Sequence, residues 1–399
     1  MTEPGSYLQE LQLRAASLAV FRGLLRNPVI DAFCALCACA GLARHEQVER
    51  YAVFAGLLLE AGGDWSAYLR DRVLRDENSY VRRRAAGREI PAALGQAVKD
   101  ELATLQLLGC VTSEAVAAQI GCGFPLPRWE TGPLDLAASY EQHMARVREL
   151  GYGVFADHHM FLLRDGEPEP VAHADPVDYS LLTGYERERE LVAANTRALL
   201  AGRPAANVLL YGDSGTGKST CVKAVANELR RAGLRLIELQ RDQMDQIPLL
   251  IDRLSDNPLK FILFIDDLSF AHGSEHFSSL KAILEGSVAS QAANTVIYAT
   301  SNRRHLVRER FSERDGDDVH VRDTLEELGS LSERFGLTVT FLRPGRELYC
   351  AIAEQYCGAF GIPFDAEMRR GAEAFALERG GRSARAAKQF AERMASQIS

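Results

Sequence analysis

The chain has 399 residues, 47% of them hydrophobic and 25% charged, and a formal net charge of −8. That profile fits an ordinary soluble globular protein with room for about two or three domains. The acidic balance disfavours broad, non-specific nucleic-acid binding, and no apolar run approaches the ~20 residues of a membrane span.

Residues 7–113 read as helical throughout. Ala/Leu/Arg-rich segments are broken at Gly23, Pro28, Gly41, Gly62-Gly63 and Pro91, with little β-branched alternation between them. Cys34, Cys37 and Cys39 fall in an alanine-rich apolar helix, with Cys110 and Cys122 further on. The later pair lacks the close Cys-x-x-Cys spacing of a zinc site, so the cysteines are expected to pack as small core residues. Residues 70–88 carry seven arginines among Asp71, Asp76 and Glu77. They read as a solvated face laced with ion pairs, in preference to a docking surface for an acidic partner.

Residues 121–133, rich in Gly and Pro, predict a loop, and 139–150 a helix. Residues 151–163 contain strand-like stretches around Asp157-His158-His159. Adjacent histidines on a strand face opposite sides and make poor joint metal ligands. Pro168, Pro170 and Pro176 among acidic residues then predict a linker over 164–176.

Leu182-Thr183-Gly184-Tyr185 leads into a charged helix over 186–200. After it, Asn207-Val208-Leu209-Leu210-Tyr211 predicts a buried strand. Gly212-Asp213-Ser214-Gly215-Thr216-Gly217-Lys218-Ser219 fits the G-x-x-x-x-G-K-[ST] pattern without a mismatch. Thr220 opens a helix that stops at Gly233. Strand, glycine loop and helix together predict a phosphate cradle of inward backbone N–H groups at a helix N-terminus. Lys218 is expected to reach the β- and γ-phosphates of ATP, and the Ser219 hydroxyl to ligate Mg²⁺. An ATP-type site in a chain whose N-terminal residues carry no export signal predicts a cytoplasmic location and reduced cysteines.

Further strands are predicted at 234–239, 261–265, 295–300 and 337–342, alternating with helices, which argues for a parallel sheet covered on both faces. Phe261-Ile262-Leu263-Phe264-Ile265 ends in Asp266-Asp267. Beside a phosphate loop, Asp266 is expected to hold Mg²⁺ and Asp267 to polarise the attacking water. Tyr298-Ala299-Thr300-Ser301-Asn302 ends the next strand, where Asn302 is placed to orient that water. Arg334, before the last strand, suits an arginine finger crossing a subunit boundary. Arg382 and Arg385 open the final helix, and Arg385 is the better placed to fold over the phosphates. For Arg334 and Arg385 a surface ion pair is the competing reading.

This set resembles the AAA+ ATPases over roughly residues 180–399. The phosphate loop, Asp266-Asp267, Asn302, Arg334 and Arg385 look like Walker A, Walker B, sensor 1, arginine finger and sensor 2, in that order. Leu263 to Phe270, Leu284-Glu285-Gly286, Tyr298 to His305 and Leu331 to Leu337 look more narrowly like a bacterial family of AAA-type ATP-binding proteins. That family carries a domain-of-unknown-function label and a helical N-terminal extension. The resemblance implies a five-stranded parallel sheet of order 5-1-4-3-2 with a helical lid, Tyr185 near the adenine, and Arg334 acting in trans.

The sequence therefore predicts an α/β nucleotide-binding protein. It would have a mainly helical domain over 1–178, an AAA+ domain over 179–343 and a helical lid over 344–399. The expected activity is Mg²⁺-dependent ATP hydrolysis that remodels or loads a macromolecular partner, protein rather than nucleic acid, with nucleotide-dependent self-assembly. A nucleotide switch or scaffold with little turnover is the first alternative. A P-loop kinase is the second, although kinases need neither the strand-terminal Asn nor the C-terminal helices.

Overall fold

The computed structural model describes residues 6–173, 176–179, 182–268, 280, 283–284, 293–302 and 333–397. The chain divides into two compact units, 1–157 with 256–258, and 158–255 with 259–399. Motif residues 269–270, 285–286, 303–305 and 331–332 lie outside the described residues.

The first unit is helical. Its core is an aromatic cluster in which Phe54 meets Phe33, Trp65 and Trp129 edge-on, at centroid distances of 5.3, 5.2 and 4.9 Å. The same side chains also satisfy backbone. Helix Ala92–Gly109 ends buried, and its terminal carbonyls need donors. The Trp65 indole N–H donates to Leu108 O and the Ser66 hydroxyl to Gly109 O, both at 2.8 Å. Within that helix the buried Glu101 carboxylate accepts from the backbone N–H groups of Ala19, Val20 and Phe21. Cys37 and Cys39 are buried in this core and Cys34 packs against it. Burial raises all three thiols, Cys34 to about 11. In the arginine-rich stretch, Arg82 pairs with Glu77 at 2.8 Å and Arg75 with Asp157.

The second unit is built on one sheet. Its strands are β1 (Met160–Arg164), β2 (Glu167–Pro170), β3 (Val208–Gly212), β4 (Leu234–Leu239), β5 (Lys260–Ile265), β6 (Thr295–Asn302) and β7 (Leu337–Phe341). The order is β2-β1-β4-β5-β6-β3-β7, and every pairing is parallel except β1 with β2. This corrects the expectation of a five-stranded sheet of order 5-1-4-3-2: the sheet has seven strands. Of the additional pair, β1 falls in the stretch expected to be strand-like and β2 in residues read as a linker, and the pair adds to the β4 edge. Pro168 and Pro170 are tolerated because β2 is the edge strand, paired on one side only. The carboxylate of Glu167 receives both Arg253 terminal nitrogens at 2.7 Å, fixing the hairpin to helix Ile247–Ser255. Residues 154–157, expected as strand, form a helical turn.

Strand β5 is buried from Phe261 to Ile265, as an inner strand covered on both faces must be. Alternate residues of the parallel strands, among them Val208, Leu210, Ile262, Phe264, Val296 and Tyr298, share one core with helices Glu186–Leu200 and Lys218–Leu229. Three further helices, Arg346–Ala359, Ala366–Glu378 and Ala384–Gln397, form the lid around Tyr349, Ile352, Phe375 and Phe390. Glycines at the two helix connections, Gly361 and Gly380-Gly381, have positive φ and turn the chain. Among the described residues no helix is long and apolar enough to cross a membrane.

Candidate nucleotide site

The ends of β3, β5 and β6 lie next to one another because β6 pairs with both of its neighbours in parallel. Ligand sites in such sheets form beyond the carboxyl ends of the strands. Here that region is a cleft of about 790 Å³ between the strand ends and the lid. Tyr185, Ser214 to Thr220, Asp266, Asp267, Asn302 and Arg385 all line it. Gly212 and Asp213 stand at the base of the loop, and Arg334 is not among the lining residues.

The loop conformation depends on glycine. Gly212, Gly215 and Gly217 have φ of 142°, 76° and 95°, which L side chains rarely adopt. Gly212 has a second constraint, since a Cβ there would stand 2.0 Å from the Phe341 carbonyl oxygen on the adjacent strand. Gly217 caps helix Lys218–Leu229, whose first-turn N–H groups are free of intrahelical partners and suited to an anion.

Lys218 is almost fully buried. Its Nζ donates to the Gly212 carbonyl at 3.1 Å, the Asp213 carbonyl at 2.8 Å and Asn302 Oδ1 at 3.0 Å. Burial lowers its pKa to about 8 against the opposing pull of Asp213, Asp266 and Asp267. The phosphate loop thus holds its own cation, through contacts that a phosphate oxygen can replace.

Asp266 Oδ1 accepts from the Ser219 hydroxyl and the Thr300 hydroxyl, each at 2.6 Å, and from the Asp267 N–H at 3.1 Å. Asp267 itself is left-handed, with φ of 53°, an unusual state for a residue other than glycine and one that concentrates at functional sites. Its Oδ1 accepts from Asn302 Nδ2 at 2.6 Å and its Oδ2 from Arg241 at 2.8 Å. Lys218, Asn302, Asp267 and Arg241 therefore form one continuous polar chain across the cleft floor.

At the other end, Tyr185 has φ of 56° and its hydroxyl donates to the Leu342 carbonyl at 2.6 Å. Burial, with Glu188 and Asp213 nearby, pushes its phenol up to about 12. The lid reaches the loop directly, because the Arg385 N–H donates to the Gly215 carbonyl at 3.1 Å. Sequence reasoning assigned no role to Thr300 or Arg241. Thr300 was detectable as the residue two before Asn302, hence on the same face of β6. Arg241 was detectable only as a charged residue just beyond the end of β4, beside β5.

A strand, glycine loop and helix, with paired aspartates ending a parallel strand one place further along the sheet, define a P-loop protein. Within that class, the chain belongs to the family described as Protein of unknown function (DUF815), whose model matches residues 156–398. Among curated proteins it is similar to a 26S proteasome regulatory subunit 4 homolog of Dictyostelium discoideum, 30% identical, with 29% of this chain and 30% of the relative covered. Among solved structures it is similar to two mutants of Thermotoga maritima RuvB, at 15% identity and TM-scores of 0.39 and 0.38. These matches cover 55% of this chain and 64% of theirs. The chain thus spans less than a third of the curated relative's length and under two thirds of the solved chains.

Proposed function

We propose that the cleft binds ATP with Mg²⁺ and hydrolyses it, and that the cycle serves to remodel or load a macromolecular partner, a protein in preference to a nucleic acid. The observation that carries the reading is the convergence of Lys218, Ser219, Asp266, Asp267 and Asn302, from two strand ends and one helix start, on one cleft. In this reading Lys218 turns its ammonium from the Gly212 and Asp213 carbonyls to the β- and γ-phosphates. The loop N–H groups hold the remaining oxygens. Asp267 accepts the proton of the attacking water, which Asn302 orients, and Arg385 lies over the phosphates.

The donor set suits Mg²⁺. Ser219 Oγ and Asp266 Oδ1 are hard oxygen ligands in contact at 2.6 Å, and Mg²⁺ takes few protein oxygens beside those of phosphate. These two residues would hold the ion, which when bound neutralises charge on the phosphate oxygens. Arg334, away from the lining of its own cleft, is assigned to the nucleotide of a neighbouring copy in a nucleotide-dependent homo-oligomer.

A second reading, a nucleotide switch with little turnover, is favoured by one observation: both Asp267 oxygens are already engaged, by Asn302 and Arg241. Steady-state hydrolysis measured against protein concentration separates the two readings. The panel is wild type, Asp267→Asn and Arg334→Ala, with light scattering in the presence and absence of ATP. Turnover that climbs with assembly and is lost in both variants supports the composite ATPase. Flat, negligible turnover with tight ATP binding supports the switch.

A further inference from the structure

Between the sheet and the lid, one arginine outside the nucleotide cleft touches both the phosphate loop and a lid turn. Arg343 lies two residues beyond the end of β7. Its Nε lies 3.5 Å from Asp213 Oδ1, a carboxylate only 17% exposed in the second position of the loop. Its Nη1 reaches the Gly380 carbonyl at 3.5 Å. The next residue is shaped to admit it: a Cβ on Gly381 would stand 2.7 Å from Arg343 Nη1, and φ there is 132°. From Gly381 the chain runs through Ser383 into the final helix, where the Arg385 N–H returns to the Gly215 carbonyl. Ser383 also packs beside Gly215. The contacts close a ring: Asp213, Gly215, Arg385, the Gly380-Gly381 turn, Arg343, and back to Asp213.

We infer that Arg343 is a positioning residue that transmits the state of the phosphate loop to the lid. The inference rests on the nucleotide-binding reading above and adds the path by which occupancy is relayed. With the loop as it stands, Lys218 Nζ and the Thr216 hydroxyl both donate to the Asp213 carbonyl, at 2.8 and 2.9 Å. A phosphate that draws Lys218 away removes one of those donors and lets the Asp213 peptide reorient. Arg343 is anchored to the Asp213 side chain and to the lid turn, so that reorientation is carried to Gly380-Gly381. The turn sets the start of the final helix, and with it the helix face bearing Arg385 and Lys388 that lines the cleft. The ring thereby gives the lid two inputs from the loop, one ionic through Asp213 and one through backbone at Gly215.

A bare ion pair of this exposure has little effect on stability, so the test reads coupling. Full-length wild type, Arg343→Gln and Arg343→Lys are compared by hydrogen exchange of the peptide spanning 376–387, without nucleotide and with saturating MgATPγS. Binding is measured in parallel by titration with a fluorescent ATP analogue, and folding by thermal melting. In wild type, nucleotide is expected to slow exchange at the turn by on the order of tenfold, the size of an ordinary coupling between sites. Arg343→Gln is expected to bind nucleotide and melt as wild type does, yet to lose most of that slowing. Arg343→Lys, which keeps the charge opposite Asp213, restores part of it. Equal slowing in wild type and Arg343→Gln, with binding intact, overturns the coupling and leaves the nucleotide site standing. Absence of binding in wild type overturns both.

Discussion

Arg241 and Asp267 form an ion pair at 2.8 Å across the ends of adjacent strands β4 and β5, with both side chains nearly half exposed. The pair holds the carboxylate assigned to activate water, and Asn302 holds its other oxygen. A base engaged on both sides has to be released before it can work. Replacing Arg241 with Ala is expected to raise steady-state turnover, because one of the two restraints is gone. Exposed pairs contribute about 0.2–1 kcal/mol, so the rise is limited to about fivefold at the same ATP saturation. A fall in turnover would show instead that Arg241 takes part in the chemistry.

Lys218 trades stability for binding. Its folded pKa of about 8 lies below the ordinary lysine value of 10.5. Between those two pH values the unfolded chain binds more protons than the folded one, so this residue makes stability rise as pH increases through that window. Below pH 8 the charged, buried ammonium carries the full cost. Lys218→Met is therefore expected to stabilise the nucleotide-free protein at pH 7, by about 1–3 kcal/mol, while abolishing ATP binding. The gain should shrink as pH approaches 10. Denaturant titrations at pH 7 and pH 9.5 check both the sign and the trend.

Gly212→Ala tests the loop's base. The added methyl would meet the Phe341 carbonyl oxygen at 2.0 Å, in a backbone conformation with φ of 142°. Neither the strand nor the loop can move without breaking the β3–β7 pairing. A loss of about 3 kcal/mol or more is expected, read from the urea midpoint. An unchanged midpoint would mean that the β3–β7 register is looser than described.

In the helical unit, Glu101 accepts three backbone N–H groups that lie about eighty residues earlier in the chain. Glu101→Ala leaves them without that acceptor in a buried turn, at about 1–3 kcal/mol per unsatisfied group. Glu101→Gln keeps one acceptor oxygen and should cost less than half as much. Thermal melts of the two variants give the ratio, and equal losses would point to packing in place of hydrogen bonding.

Much of the cleft was legible because its parts are local. The glycine loop is contiguous, and Asp266-Asp267 and Asn302 each end a run of apolar residues that can only be an inner strand. β4 was likewise readable over 234–239, since a parallel strand buried on both faces needs no partner to announce itself. Strand β2 was hidden by its own chemistry: Pro168 and Pro170 mark a break anywhere but on an edge strand. Arg241 was hidden for another reason. Its partner is 26 residues away in sequence, and only the β4–β5 register brings the two together. The ring through Arg343 and Gly381 depends on the lid turn meeting the end of β7, which no local pattern encodes.

The prolines of β2 also bear on how copies of this chain can associate. The Val171 N–H points to Met160 on β1, so along an alternating strand the backbones of Glu169 and Glu167 face β1 as well, while Pro168 and Pro170 face away. On that outer side the strand presents carbonyls but no donors at those two positions, flanked by two carboxylates. A second molecule cannot zip its own strand onto this border. Copies that meet along this border must do so through side chains, so the sheet cannot run on from one molecule into the next there.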